Sequence, residues 1–308
     1  METEKQTKIN KERIYGVSVV VFLFIVAVLS VCVVFGAITP TALLASLGAD
    51  RSRCMNVDGC FSFCNVGNGD STLIYTNNVI GIVDFGVADY SYSLSDKVRE
   101  LTDDPLDFAV ISHPHSDHAG GFEVLAKTVG ITRLYMRKYS ENELEDYQFY
   151  QDILSVAESN GVQLIHPASG TQIRYDTIDL NFYYHNLYTK EENENCLVTM
   201  ASIGDTRCLL MGDSGHLTED VLLEQVIDLK ADILKLGHHG SKSATSERFL
   251  QAIDPDYGVI CVGRNSYGHP SPEVTSLLRR YEIPFYRTDG YQQIIFMIKD
   301  SKISLLTI

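Results

Sequence analysis

Ser112-His113-Pro114-His115-Ser116-Asp117-His118 follows directly on an apolar run, Asp107 to Ile111, and runs straight into Ala119-Gly120-Gly121. Three imidazoles and one carboxylate therefore fall within six residues, where a strand gives way to a loop. A loop in that position can turn alternate side chains toward one point. Imidazole with carboxylate is the usual donor mixture for zinc and similar ions. Crowded together without a cation, the same groups would repel or stay unsatisfied near neutral pH. The motif points to a metal site.

Two more strand ends carry the same kind of residue. Leu209-Leu210-Met211-Gly212-Asp213 ends in a carboxylate, and Asp232 to Leu236 runs into Gly237-His238-His239-Gly240-Ser241. One aspartate after a glycine is commonly a turn residue. Three such strand ends in one chain are a stronger signal. Around them, apolar runs at 60–66, 71–76 and 79–84 read as strands, broken by Gly67-Asn68-Gly69 and Asn77-Asn78 turns. Helical spacing covers 92–103, 120–129, 142–160, 216–227, 244–253 and 271–281. Strands are expected at 107–112, 162–166, 178–185, 197–203, 207–211, 232–236, 257–262, 284–287, 292–298 and 302–307. The Tyr147, Tyr150 and Leu154 spacing reads as a helix face packed on the core. Strands grouped at both ends, with strand–helix units between, predict two mixed sheets flanked by helices.

These residues resemble the metallo-β-lactamase fold superfamily. More narrowly, they resemble the soluble metallo-β-lactamase-like domain of ComEC-type DNA-uptake competence proteins. The likeness runs through Asn65 to Ser71, Ile82-Val83-Asp84-Phe85-Gly86, the histidine motif, Asn193-Glu194-Asn195-Cys196-Leu197-Val198 and Gly212-Asp213. It continues through Leu234 to Ser241, Gly263 to Pro270 and Tyr286-Arg287-Thr288-Asp289, covering about residues 60–307.

The resemblance implies an α/β fold, an αββα four-layer sandwich with the metal site along one edge. It implies two divalent metal ions, zinc or manganese. His113 and His115 would bind the first, Asp117, His118 and His238 the second, and Asp213 both. A hydroxide between them would be the nucleophile, since paired cations acidify water and stabilise charge on the substrate oxygen. Asp117 and His269 are the candidate catalytic residues. His269 would contact substrate or act as general acid; a turn role before Pro270 is its alternative. Asp70, Asp84, Asn193, Asn195, His239 and Ser241 are expected beside the metals or at the substrate. Asp70 is equally a turn residue; Ser241 reads as part of a solvated loop, with phosphate contact as its alternative, and His239 reads as a substrate or structural contact, with metal ligation as its alternative. Many superfamily members supply a third histidine to the first metal, where this chain carries Asn193 and Asn195. An amide is the weaker ligand, which favours a harder ion such as manganese there.

The implied activity is metal-dependent hydrolysis, with phosphodiester bonds as substrate and single-stranded nucleic acid or another phosphodiester as partner. Hydrolysis of a small ester, lactone, thioester or β-lactam stays open, as does a metal-stabilised surface module without activity. Charge weighs against a polyanion. The net charge is −15, and from residue 53 onward 20 basic residues face 36 acidic ones. Nucleic-acid binders usually show a basic surface, although bound cations can reverse a local field.

At the other end of the chain, Ile14 to Ile38 is a run of 25 residues without charge. About 20 apolar residues suffice to cross a bilayer as a helix. The expected organisation is a cytoplasmic N-terminus (1–13), a transmembrane helix (14–38) contacting membrane lipid, a linker (39–58) and the hydrolase domain (59–308). Lys5, Lys8, Lys11 and Arg13 before the helix place the catalytic domain outside the cell by the positive-inside rule. A cleaved, secreted form is the alternative. Outside the cell Cys54 and Cys60 would be either a local disulfide or two thiols, which spacing does not decide.

Overall fold

The structure is a computed structural model and describes residues 57–185, 189, 191–225 and 228–308. Residues 14–38, expected to span a membrane, lie outside it, as does Cys54 with its possible partnership to Cys60. Among the described residues no helix is long and apolar enough to cross a membrane. The expectation of a single-pass chain with its N-terminus in the cytoplasm and its domain outside is withdrawn on that finding.

Apart from one edge strand, Gln172–Tyr175, the strands fall where the apolar runs put them. One set is β1 (Gly59–Cys64), β2 (Thr72–Tyr75), β3 (Ile80–Val83), β4 (Phe108–Ile111), β5 (Arg133–Met136), β6 (Gln163–Ile165), β14 (Gln293–Lys299) and β15 (Lys302–Thr307). The other is β7 (Gln172–Tyr175), β8 (Ile178–Tyr183), β9 (Val198–Ile203), β10 (Thr206–Leu210), β11 (Ile233–Lys235), β12 (Tyr257–Ile260) and β13 (Phe285–Arg287). Among the described residues they form an eight-stranded sheet, β15-β14-β1-β2-β3-β4-β5-β6, and a seven-stranded sheet, β13-β12-β11-β10-β9-β8-β7. Both are mixed: β3 to β6 run parallel, as do β10 to β13, and the rest pair antiparallel.

Strand periodicity builds the layers. Alternate residues of a strand face opposite sides of its sheet. Phe61 and Phe63 of β1, Phe108 and Val110 of β4, and Phe296 of β14 share one core with Ile178, Leu180 and Phe182 of β8. That core lies between the sheets. The residues in alternation, Cys60, Cys64, Ala109 and Ile111, face a second core with helix residues Leu94, Val98, Phe122, Leu125, Tyr150 and Ile153. These come from α1 (Ser91–Leu101), α3 (Phe122–Thr128) and α4 (Tyr147–Ser159). A third core joins Leu209, Leu234 and Ile260 of the other sheet to Leu222, Phe249, Leu250, Val274 and Leu278. Those lie on α5 (His216–Gln225), α6 (Glu247–Ile253) and α7 (Pro272–Arg280). Helices, two sheets and helices make the expected four layers.

Local signals set the helix ends. The Asp146 carboxylate accepts the Phe149 N–H at the start of α4, and Ser271 accepts the Val274 N–H at the start of α7, with Pro272 at the first helical position. Arg279 and Arg280 close the last turn of α7, where cations complement the helix dipole. The Tyr147, Tyr150 and Leu154 face packs on the core as expected.

Candidate metal centre

The parallel strands carry the site. β3 and β4 pair with Val83 opposite Val110, so Asp84, one residue on, and Ser112, two residues on, emerge side by side. Asp84 Oδ1 accepts the Ser112 backbone N–H at 2.8 Å, and its Oδ2 accepts the Ser112 hydroxyl at 2.7 Å. The short helix α2 (Ser116–Ala119) then carries Asp117 and His118. On the other sheet β10 and β11 pair in parallel, with Leu210 opposite Lys235. Asp213 and His239 lie just past those ends, and the His238 N–H donates to the Gly212 carbonyl at 3.1 Å. Chain segments far apart in sequence thus meet at the carboxyl ends of parallel strands, the common ligand-binding edge of such sheets.

Asp117, His118, Asp213 and His239 each turn a donor atom into one small volume. His118 Nε2 is 3.1 Å from Asp213 Oδ1. His239 Nε2 is 3.5 Å from Asp213 Oδ1 and 3.4 Å from Asp117 Oδ2. Donors held at about 2.0–2.1 Å from a tetrahedral ion stand about 3.3 Å apart. The spacing fits a divalent cation. A second observation agrees: Nε2 of His118, Nε2 of His239 and Oδ1 of Asp213 are buried without a hydrogen-bond partner. Buried polar atoms are normally satisfied, so three aimed at one point await a ligand.

The backs of these imidazoles are held. His118 Nδ1 is 2.9 Å from Asp84 Oδ2. His239 Nδ1 is 2.8 Å from the Cys261 carbonyl and 3.4 Å from Asp70 Oδ1. Oxygen partners of this kind fix the tautomer and raise the basicity of a ligating imidazole. Asp70, Asp84 and His118 also lie close together, but this is not a separate cation site. The ammonium of Lys235 already sits against Asp70 Oδ2, and it donates to the Gly212 carbonyl at 2.8 Å. Lys235 is buried in β11, and the sequence reading gave it no role.

Electrostatics follow from this crowding. Burial works against a charged His118, yet Asp213, Asp70, Asp84 and Asp117 together hold its pKa well above the ordinary imidazole value. Burial likewise opposes charge on His239, but Asp213 and the hydrogen bonds to Asp117 and Asp70 raise its pKa to about 10. Asp213 goes the other way: burial would raise it, but His239 and His118 hold it well below the usual carboxylate range. The carboxylates keep positive charge in this volume, and a metal ion would displace the protons that supply it. His113 differs. Burial, then the neighbouring His118 and His115, push its pKa well down, leaving it a neutral donor.

Several expected residues take other places. The imidazole that joins Asp117, His118 and Asp213 is His239, not His238. His238 Nε2 stands 3.8 Å from Asp213 Oδ2 and 3.2 Å from Asn193 Nδ2, in a more open position. Both histidines have left-handed backbones, φ 46° and 52°. Adding a Cβ to the preceding Gly237 would bring it within 2.2 Å of the Ser214 carbonyl. That cramped turn chooses which ring points inward, and residue spacing does not reveal it. Asn195 is tied elsewhere: its Oδ1 accepts from Arg137 at 2.9 Å and its carbonyl accepts from the Tyr139 hydroxyl at 2.9 Å. Ser241 pairs its hydroxyl with Ser243 at 2.9 Å. Neither lines the cleft described next.

His113 and His115 stand beside the four-donor group, their rings 4.3 Å apart and His113 4.2 Å from His118. His113 Nε2 is also buried and unpartnered. His115, Asp117, Asp213, His238 and His239 line a cleft of ≈ 620 Å³ whose walls include Asn193, Glu192, Glu145, Asp146, Phe149, Tyr267 and His269, with His113 and His118 buried behind them. His269 sits at the mouth, its ring 5.2 Å from His238, beyond the donor group. Tyr267 is 76% exposed there. Among the described residues the lining holds the carboxylates of Asp117, Glu145, Asp146, Glu192 and Asp213, and no Lys or Arg.

Comparison with known proteins agrees with this geometry. The family described as "Metallo-beta-lactamase superfamily" matches residues 64–264. The chain is 29% identical over 269 residues to "ComE operon protein 3" of Bacillus subtilis, an alignment covering 80% of this chain and 34% of that protein. It is 28% identical to "Competence protein ComA" of Neisseria gonorrhoeae, over 73% of this chain and 30% of that protein. The chain thus spans about a third of these relatives' length. Among solved structures, the metallo-beta-lactamase fold protein YhfI from Bacillus subtilis superposes with a TM-score of 0.52 at 12% identity, covering 78% of this chain and 99% of that one. With the fold, the clustered donors and the family match in agreement, the chain belongs to the metallo-beta-lactamase superfamily.

Proposed function

We propose that the domain is a metal-dependent phosphodiesterase acting on nucleic-acid strands. The observation that carries this is the convergence of Asp117, His118, Asp213 and His239, the last three with unpartnered atoms, at an open cleft lined by Asp117, Asp213 and His239. Asp213 and His113 would serve a first metal position with His115, and the four-donor group a second. Divalent ions in these positions would acidify water and stabilise the charge that develops on phosphoryl oxygens. The chain's own residues do the rest. Asp84 and Asp70 hold His118 and His239 in register, and Asp117 would orient water by accepting a hydrogen bond from it. His269 and Tyr267, whose rings lie 5.8 Å apart at the mouth, would meet the strand beside the reacting phosphate.

The competence relatives favour nucleic acid as substrate. The acidic lining favours a second reading, a small uncharged ester or lactone, because without Lys or Arg only the cations would draw an anion in. The full chain, loaded with manganese or zinc, should cut a labelled single-stranded oligonucleotide. Chelator should stop it, and Asp117→Ala should lose the activity with little loss of fold. Turnover of small esters with an intact oligonucleotide would remove the phosphodiester reading.

A further inference from the structure

Three imidazoles at and beside the centre share a rule, and His115, whose ring is 4.3 Å from that of His113, applies it in reverse. His113 Nδ1 is 3.1 Å from the Ser112 hydroxyl, His118 Nδ1 is 2.9 Å from Asp84, and His239 Nδ1 is 2.8 Å from the Cys261 carbonyl. In each the other nitrogen, Nε2, is buried and without a partner. In His115 it is Nε2 that is engaged, 2.7 Å from Glu192 Oε2. The second Glu192 oxygen accepts the backbone N–H of Glu145, just before α4. The carboxylate is therefore held from two sides on the wall of the cleft, with its side chain only 11% exposed.

We propose that Glu192 is a positioning residue for the first metal position. By accepting the Nε2 proton of His115 it fixes the tautomer whose free nitrogen is Nδ1, and it strengthens that nitrogen as a donor. The effect matters most at this position. Where superfamily relatives offer a third imidazole, this chain has Asn193, whose amide faces His238, and Asn195, whose amide is tied to Arg137. With fewer strong ligands, the basicity of each remaining one weighs more. The inference rests on the metal-pair part of the proposed function and not on the substrate, so an intact oligonucleotide leaves it standing.

The test is metal binding, read by calorimetry or chelator competition with manganese and zinc, on the full chain. The wild type should take up two equivalents. In Glu192→Ala one equivalent should weaken by about 10–100-fold, the usual cost of losing a carboxylate behind a ligating histidine, while the other is unchanged. Glu192→Gln, whose amide oxygen still accepts from His115, should recover part of that loss. If Glu192→Ala does not fold, Glu192→Gln decides alone, with one equivalent weakened and the other unchanged. Wild-type affinities in the variant that folds would overturn the proposal, as would equal weakening of both equivalents. A wild type that binds fewer than two equivalents would overturn the metal pair and this inference with it.

Discussion

Asp213→Ala is expected to lose hydrolysis and metal uptake together. Asp213 Oδ1 stands 3.1 Å from His118 Nε2 and 3.5 Å from His239 Nε2, and its Oδ2 is the oxygen nearer His238. No other described side chain takes part in contacts with all three. Paired cations contribute several kcal/mol to transition-state stabilisation, and about 1.36 kcal/mol is tenfold in rate. Turnover should therefore fall by about 10³-fold or more. The metal-free fold should persist, because His118 keeps Asp84 and His239 keeps the Cys261 carbonyl. Steady-state rates, metal content and melting of the metal-free variant check all three parts. Near-normal turnover would show that the reacting centre lies elsewhere.

The second large effect is on stability. Lys235→Met removes the ammonium that neutralises Asp70 and bonds the Gly212 carbonyl, deep under the site. Burial works against a charged lysine there, yet Asp70 holds its pKa above the ordinary value. Breaking one side of a buried pair leaves an uncompensated charge and costs about 3–5 kcal/mol. For a domain of this size, each kcal/mol lowers the melting temperature by about 2–4 °C. The variant should melt roughly 6–20 °C below the wild type by the same scaling. Adding Asp70→Asn should restore part of the loss, because the two residues share one interaction. A Lys235→Met protein that melts with the wild type would mean the pair contributes nothing net.

Lys235 also shows where sequence reading stops. A lone lysine among Ile233, Leu234 and Leu236 is a legible sign of a buried charge. Its partner, 165 positions earlier in the sequence at Asp70, is not. The fold was legible because its signals are local. Continuous apolar runs mark strands buried on both faces, and Asp146 and Ser271 mark helix starts. The strand Gln172–Tyr175 went unread because it is an edge strand with Gln172 and Arg174 exposed. In the site, the donors were legible as residue types at strand ends. The choice between His238 and His239 was not, since it depends on two left-handed residues in one turn. Glu192 was also missed, because its partner His115 lies 77 positions away.

The proposed chemistry requires cations in the volume between Asp117, His118, Asp213 and His239. Anomalous diffraction at the metal edge, from crystals grown with manganese or zinc, tests it most directly. A strong peak should lie among those four donors, with a second beside His113 and His115. A fully loaded crystal with no anomalous density near Asp213 would contradict it.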